Sequence, residues 1–178
     1  MRGTIGLMVA GLLMTAVTAA EGQGARPQTR EGFWFSAGLG YGSLGCEDCD
    51  REGGLSGYLR LGGTLSPKVL LGVETNGWTK SEGGATLTYG NLSGVVYFYP
   101  SPDGGFHLKG GLGIARLDLD LGSFGSGGET GGGALLGLGY DARIGRNVSI
   151  TPYLNFLGGS FDGGNASLAQ FGVGITAH

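Results

Sequence analysis

Residues 33–42 read FWFSAGLGYG, and the order of those letters decides the class of fold. Phe33, Phe35, Ala37, Leu39 and Tyr41 share one parity, while Trp34, Ser36, Gly38, Gly40 and Gly42 share the other. A period of two belongs to a β-strand, whose successive side chains point to opposite faces. One face here is apolar and large; the other is mostly glycine.

The same alternation recurs along the chain. Leu55, Leu59 and Leu61 oppose Ser56, Tyr58 and Arg60; Val69, Leu71 and Val73 oppose Glu74, Asn76 and Trp78. Phe106, Leu108, Leu112 and Ile114 oppose His107 and Lys109; Leu136 and Leu138 oppose Asp141 and Arg143. Val148, Ile150, Leu154 and Phe156 oppose Ser149, Tyr153 and Asn155, and Phe171, Val173 and Ile175 oppose Gln170 and Thr176. The segment ATLTYGNLSGVVYFY is less regular. Leu87 and Tyr89 share one parity, Leu92, Val96 and Phe98 the other, so a bulge near Gly90 or Asn91 is expected to restore the phase. Eight strands of about ten residues result, with no convincing helical period.

Composition narrows the alternatives. Glycine supplies 42 of 178 residues, yet there is no G-X-Y period and proline is only 5, which excludes collagen. Apolar residues at 40% are too many for a disordered chain. Residues 1–20 have Arg2, an apolar run (TIGLMVAGLLMTAV) and a small-residue end (TAA), the layout of a cleavable secretory signal peptide. Cleavage after Ala20 moves the formal net charge from −3 to −4, and without a basic cluster nucleic acid is excluded as a partner. Residues 21–31 read as a flexible periplasmic leader and residues 32–178 as one domain.

Alternation does not say which face is inside. A soluble lipocalin-like barrel or sandwich would turn the apolar face inward. Three features favour the inverse. Glycine is a poor choice for a water-facing strand but leaves room inside a narrow barrel. Arg60, Lys109 and Arg143 against Glu74 and Asp141 can neutralise one another in a closed lumen, with Tyr58 and Tyr153 beside them. An even number of short strands behind a signal peptide suits a transmembrane barrel. Phe33, Phe35, Leu39, Leu59, Leu61, Leu71, Val73, Leu112, Ile114, Leu136, Leu138, Ile150, Leu154, Phe171, Val173 and Ile175 would then face lipid. The fold class is all-β, an eight-stranded antiparallel up-and-down transmembrane barrel.

On these features the chain resembles the small outer-membrane β-barrel proteins of diderm bacteria, similar to the OmpA transmembrane domain and OmpX. The resemblance implies periplasmic termini, short periplasmic turns, longer surface loops near 43–53, 80–84, 119–130 and 159–165, and assembly by the barrel assembly machinery into a membrane of lipid and lipopolysaccharide. Two departures stand out: His178 replaces the usual terminal aromatic, and Pro152 lies within a strand, where its missing N–H should break the ladder unless a bulge absorbs it.

Function reads as structural or cell-surface interaction around a mostly plugged lumen, with no cofactor. A narrow channel or small-ligand barrel is the alternative. Lipid A modification is a weaker one: the His-x-Ser pattern of such deacylases is absent because Lys109 follows His107 at that spacing, and terminal His178 is expected to be mobile. The outer loops are acidic, with Asp118, Asp120 and Glu129 a weak candidate for a divalent cation. Cys46 and Cys49 form a lone CxxC. Too few ligands for zinc and no helix for a redox centre leave a local disulfide as the expectation.

Overall fold

A computed structural model describes residues 30–46 and 50–178. The expected signal peptide, the leader up to residue 29, and Glu47, Asp48 and Cys49 lie outside the described residues.

The strands are β1 (Phe33–Cys46), β2 (Glu52–Ser66), β3 (Val69–Glu82), β4 (Ala85–Phe98), β5 (Phe106–Asp120), β6 (Ser126–Tyr140), β7 (Ala142–Arg143), β8 (Val148–Phe161) and β9 (Gly164–Ala177). Consecutive strands pair antiparallel except β6 and β7, which both pair with β8, and β1 also pairs with β9, which closes the sheet. β6 and β7 are two pieces of one stave, so the barrel has eight. Hydrocarbon offers no partner for an unpaired N–H or C=O, and closure removes the sheet edge that would carry them.

Pro152 splits that stave. Pairing runs to Gly139↔Tyr153 and resumes at Ala142↔Ile150 in the same register. The ladder is interrupted across from Pro152, as its missing N–H demands, but no bulge forms. The Asp141 amide donates instead to the Gly105 carbonyl at 2.9 Å.

The bulge expected near Gly90 is likewise absent. β4 pairs continuously with both neighbours through Gly77↔Gly90↔Arg116. Tyr89 is therefore buried inside the barrel and Leu87 half-buried, on the same inward parity as Asn91, Ser93 and Tyr97. The apparent loss of phase came from apolar residues that belong to the lumen.

The outer face is apolar. The residues expected to face lipid are 39–76% exposed, except Leu154, which is half-buried on the same parity. This belt lies nearer the chain termini and the turns at 66–68, 99–105 and 144–147. Towards the opposite end the outward positions become Thr79, Ser81, Thr86, Thr88 and Thr130.

The expectation of ten-residue strands and long outer loops is corrected. The eight principal strands have 14 or 15 residues each. Only residues 83–84 separate β3 from β4, and 162–163 separate β8 from β9. About 9–11 residues suffice to cross hydrocarbon, so each strand continues beyond the belt as a rigid paired crown. Glycine-rich and charged strand ends look like loops by composition, while their backbones go on pairing.

Gly83 and Gly84 have φ of 60° and 86°, the left-handed geometry of a tight hairpin. Gly84→Val should cost about 1–2 kcal/mol, since a β-branched residue is strained there. A lower midpoint of heat-modifiable gel migration checks this; an unchanged midpoint contradicts the turn geometry.

Candidate functional site: the lumen

The lumen is built in layers. At the end nearest the termini, Trp34 packs edge-on to Tyr97 with centroids 4.9 Å apart, beside buried Leu70 and Tyr99. Tyr99 donates to Asp141 Oδ2 at 2.8 Å. Burial, then the Asp141 carboxylate, push the Tyr99 phenol well above its ordinary pKa and keep it a donor.

Two residues expected to be free are held here. His178 lies with its side chain 6% exposed, its Nε2 3.8 Å from Asp141 Oδ2, and its amide donates to the Asn147 carbonyl at 3.0 Å. It is not a loose terminus. Arg30, expected in a flexible leader, is 2% exposed. Its guanidinium stacks 3.6 Å from the Tyr99 ring centroid and donates to the carbonyls of Pro102 and Gly104. A buried guanidinium needs such acceptors and an aromatic face in place of water.

Above lies the charged layer. Lys109 Nζ donates to Glu74 at 2.5 and 2.7 Å, and Tyr97 donates to the same carboxylate at 2.5 Å; both ionic side chains are fully buried. Arg60, 4% exposed, sits directly across the β2–β3 ladder from Glu74, with its guanidinium 4.6 Å from the Tyr58 ring centroid. A relay of hydroxyls runs from Asp141 through Thr151 (2.7 Å), Thr176 (2.8 Å) and Ser36 (2.9 Å) to Tyr58 (2.9 Å). Tyr58 in turn packs edge-on to Tyr153 at 4.7 Å. Asn155 bonds Asn76 and Gln170 in the next layer.

Of the expected polar set, Arg60, Glu74, Lys109, Asp141, Tyr58 and Tyr153 converge here. Arg143 stands at the adjacent turn. It is half-buried, and its guanidinium donates to the carbonyls of Gly145 and Arg146, bracing the turn.

The crown half of the lumen is apolar. Leu44, Trp78, Tyr89, Ala115, Leu135, Leu157 and Leu168 are buried there, with Leu87, Leu117 and Phe161 packed against them. Trp78 Nε1 donates to the Gly42 carbonyl at 3.0 Å. Leucines on the glycine-and-polar parity, such as Leu135, Leu157 and Leu168, were the sequence signal for this apolar layer.

The inward glycines explain how the filling fits. A methyl group at Gly38 would lie 2.4 Å from the Tyr58 ring, and one at Gly174 only 2.1 Å from the Tyr58 hydroxyl. Gly42 and Gly54 similarly make space for Trp78, and Gly139 for His107. Bare backbone accommodates bulk from another stave, so a glycine-rich wall does not imply an empty lumen.

His107 is buried between Tyr97 and Tyr99, with Nδ1 3.9 Å from Asp141, too far for a hydrogen bond. At the crown, Asp118 and Asp120 point outward, whereas Glu129, paired with Leu117, is on the opposite parity. The expected cation site is thus corrected: the carboxylates do not converge, and no metal-holding group of His, Cys, Asp and Glu occurs among the described residues. Cys46 ends β1 and is not free; Cys49 lies outside the described residues.

No family model matches the chain, and no curated protein matches it. Solved structures do. The chain is similar to Neisserial surface protein A at TM-score 0.66 and 16% identity, covering 84% of this chain and 99% of that one. It is similar to Ail, the attachment invasion locus protein of Yersinia pestis, in complex with the heparin analogue sucrose octasulfate (TM-score 0.64, 14% identity, 82% and 99% covered). The N-terminal β-barrel domain of Pseudomonas aeruginosa OprF follows at TM-score 0.52 and 15% identity, with 83% and 99% covered. At such identities the likeness is one of fold: the small eight-stranded outer-membrane barrel.

Removing one member of the buried ion pair should be costly. Lys109→Met leaves Glu74 charged without its partner and should destabilise by about 3–5 kcal/mol, while Glu74→Leu combined with Lys109→Met should cost much less. Urea unfolding in detergent micelles compares them; equal losses would contradict the pairing.

Proposed function

We propose that this chain is an outer-membrane barrel with a plugged lumen and a structural or cell-surface interaction role, without catalysis. The observation that carries the reading is the inversion of polarity: a fully buried Glu74–Lys109 pair inside a wall of exposed Leu, Val, Ile and Phe. Water would not favour that exterior, whereas hydrocarbon would.

The layered filling supports a closed barrel, since eight staves leave an interior that side chains can just fill. Lys109, at the position where a deacylase-like serine would stand, is engaged by Glu74, and no hydrogen-bonded base–nucleophile pair is built on His107. Termini in the periplasm, insertion by the barrel assembly machinery, and contact with outer-membrane lipid and lipopolysaccharide belong to the same reading.

The rigid crown is the surface offered outward. It carries Asp50, Glu52, Glu82, Asp118, Asp120, Glu129 and Asp162 against Arg51, Lys80 and Arg116. A sulfated sugar such as the one bound to Ail would be repelled by this excess of carboxylates, so a basic partner suits the crown better.

Expression in a diderm bacterium should place the protein in the outer-membrane fraction with heat-modifiable migration; a soluble periplasmic product would overturn the reading. In planar bilayers the refolded protein should show no stable unit steps, and Trp78→Ala combined with Tyr89→Ala should introduce them by opening the apolar plug. Unit steps in the unaltered barrel would favour the narrow channel instead.

Residues 1–20 act as a signal peptide in this proposal, and Cys46 and Cys49 form a local disulfide. The intact mass of the exported protein should correspond to a chain beginning at Glu21, increasing by two hydrogens on reduction. An uncut chain or two free thiols would refute the respective assignment.

A further inference from the structure

The chain bends sharply just before it enters β1. Gly32 has a φ of 74°, a left-handed backbone that favours glycine. Its carbonyl accepts from the Thr64 amide of β2 at 2.9 Å, so the bend is pinned to the wall. Past the bend Glu31 is exposed, whereas Arg30 is buried.

Where Arg30 lands shows what the bend is for. Its guanidinium stacks on Tyr99 and donates to the carbonyls of Pro102, at 2.9 Å, and Gly104, all in the segment that joins β4 to β5. β5 stands four staves from β1 in either direction, through β2, β3 and β4 or through β9, β8 and β6. Residues 30–32 therefore cross the mouth from one side of the barrel towards the other. Three residues of chain reach about 10 Å at about 3.3–3.6 Å each, and the long arginine stem adds the rest.

The far side is held ready to receive it. The Tyr99 amide donates to the Lys68 carbonyl at 2.8 Å, and the Gly105 carbonyl accepts from the Asp141 amide at 2.9 Å. Beneath this crossing lie Trp34 and both histidines of the chain, His107 and His178, each with a ring nitrogen 3.8–3.9 Å from Asp141 Oδ2. The charged layer follows.

We propose that residues 30–32 are a releasable strap across the lumen mouth near the termini, with Gly32 as hinge and Arg30 as latch. Neutral carbonyls and an aromatic face hold the latch, so its release strands no buried carboxylate. The Tyr99–Asp141 bond and the Glu74–Lys109 pair stay in place. An open strap admits water and small solutes to the two histidines. Leucines and aromatic rings still fill the crown half, so opening makes a one-ended polar chamber and not a pore.

The inference rests on the closed-barrel reading, and its test separates the two. Folding of the mature chain in detergent micelles is first scored by heat-modifiable migration, which reports on the barrel alone. Diethyl pyrocarbonate is then added, and carbethoxylation of His107 and His178 is followed by peptide mass spectrometry. Both should react slowly in the unaltered barrel and about tenfold faster in Arg30→Gln, as the protection given by local closure is lost. Gly32→Val, which strains the hinge, should act in the same direction. Glu31→Gln, at an exposed position, should leave the rates unchanged. Hydrogen exchange in β3 and β8 should stay as slow in the latch and hinge variants as in the unaltered barrel. Fast reaction in the unaltered barrel, unchanged rates in both folded variants, or a general rise in strand exchange would overturn the proposal.

Discussion

An eight-stranded barrel whose exterior is apolar has one governing constraint: the polar side chains must be satisfied inside a tube barely wider than they are. Everything in this molecule follows from how that tube is filled. Each stave must offer either bulk or bare backbone at a given height, because two large side chains facing each other would burst the wall. Tyr58 between Gly38 and Gly174, and Trp78 against Gly42 and Gly54, show the rule at work. The unusual glycine content is the complement of the aromatic and charged filling.

The filling is also segregated. Ions and hydroxyls occupy the half nearer the termini, where Glu74 receives Lys109 and Tyr97 together and Asp141 receives Tyr99 and Thr151. Trp78, Tyr89 and leucines occupy the crown half. These apolar side chains lower the dielectric around the charges beneath them, which strengthens satisfied pairs and raises the cost of breaking them. Arg30 and His178 bring both ends of the described chain against the mouth near the termini, so the polar half is lined on that side by the chain itself.

Outside, the same economy of side chains leaves a different kind of feature. Inward Gly38, Gly42, Gly54 and Gly174 back onto bulky neighbours, whereas outward Gly77 and Gly90 face open space. The two sets cannot be told apart by composition. Paired strands extending beyond the belt likewise turn segments that read as loops into an acidic crown.

The alternation by itself determined the strands, their number and which face is apolar, because a period of two survives any local composition. It also picked out Arg60, Glu74, Lys109, Asp141, Tyr58 and Tyr153 as sharing the polar face. What it missed depended on pairing and packing that parity does not encode. The absence of a bulge at Gly90 follows from continuous pairing to β3 and β5, and the interruption at Pro152 without one follows from the register that β6 and β7 share. Arg143 shares the polar parity, yet the nearby turn carbonyls claim its guanidinium first. The burial of Arg30 and His178 and the apolar filling of the crown half needed the closed barrel to exist. Parity is a local property of the chain, whereas the height of a side chain in the lumen and the identity of what stands opposite it are set only when the sheet closes.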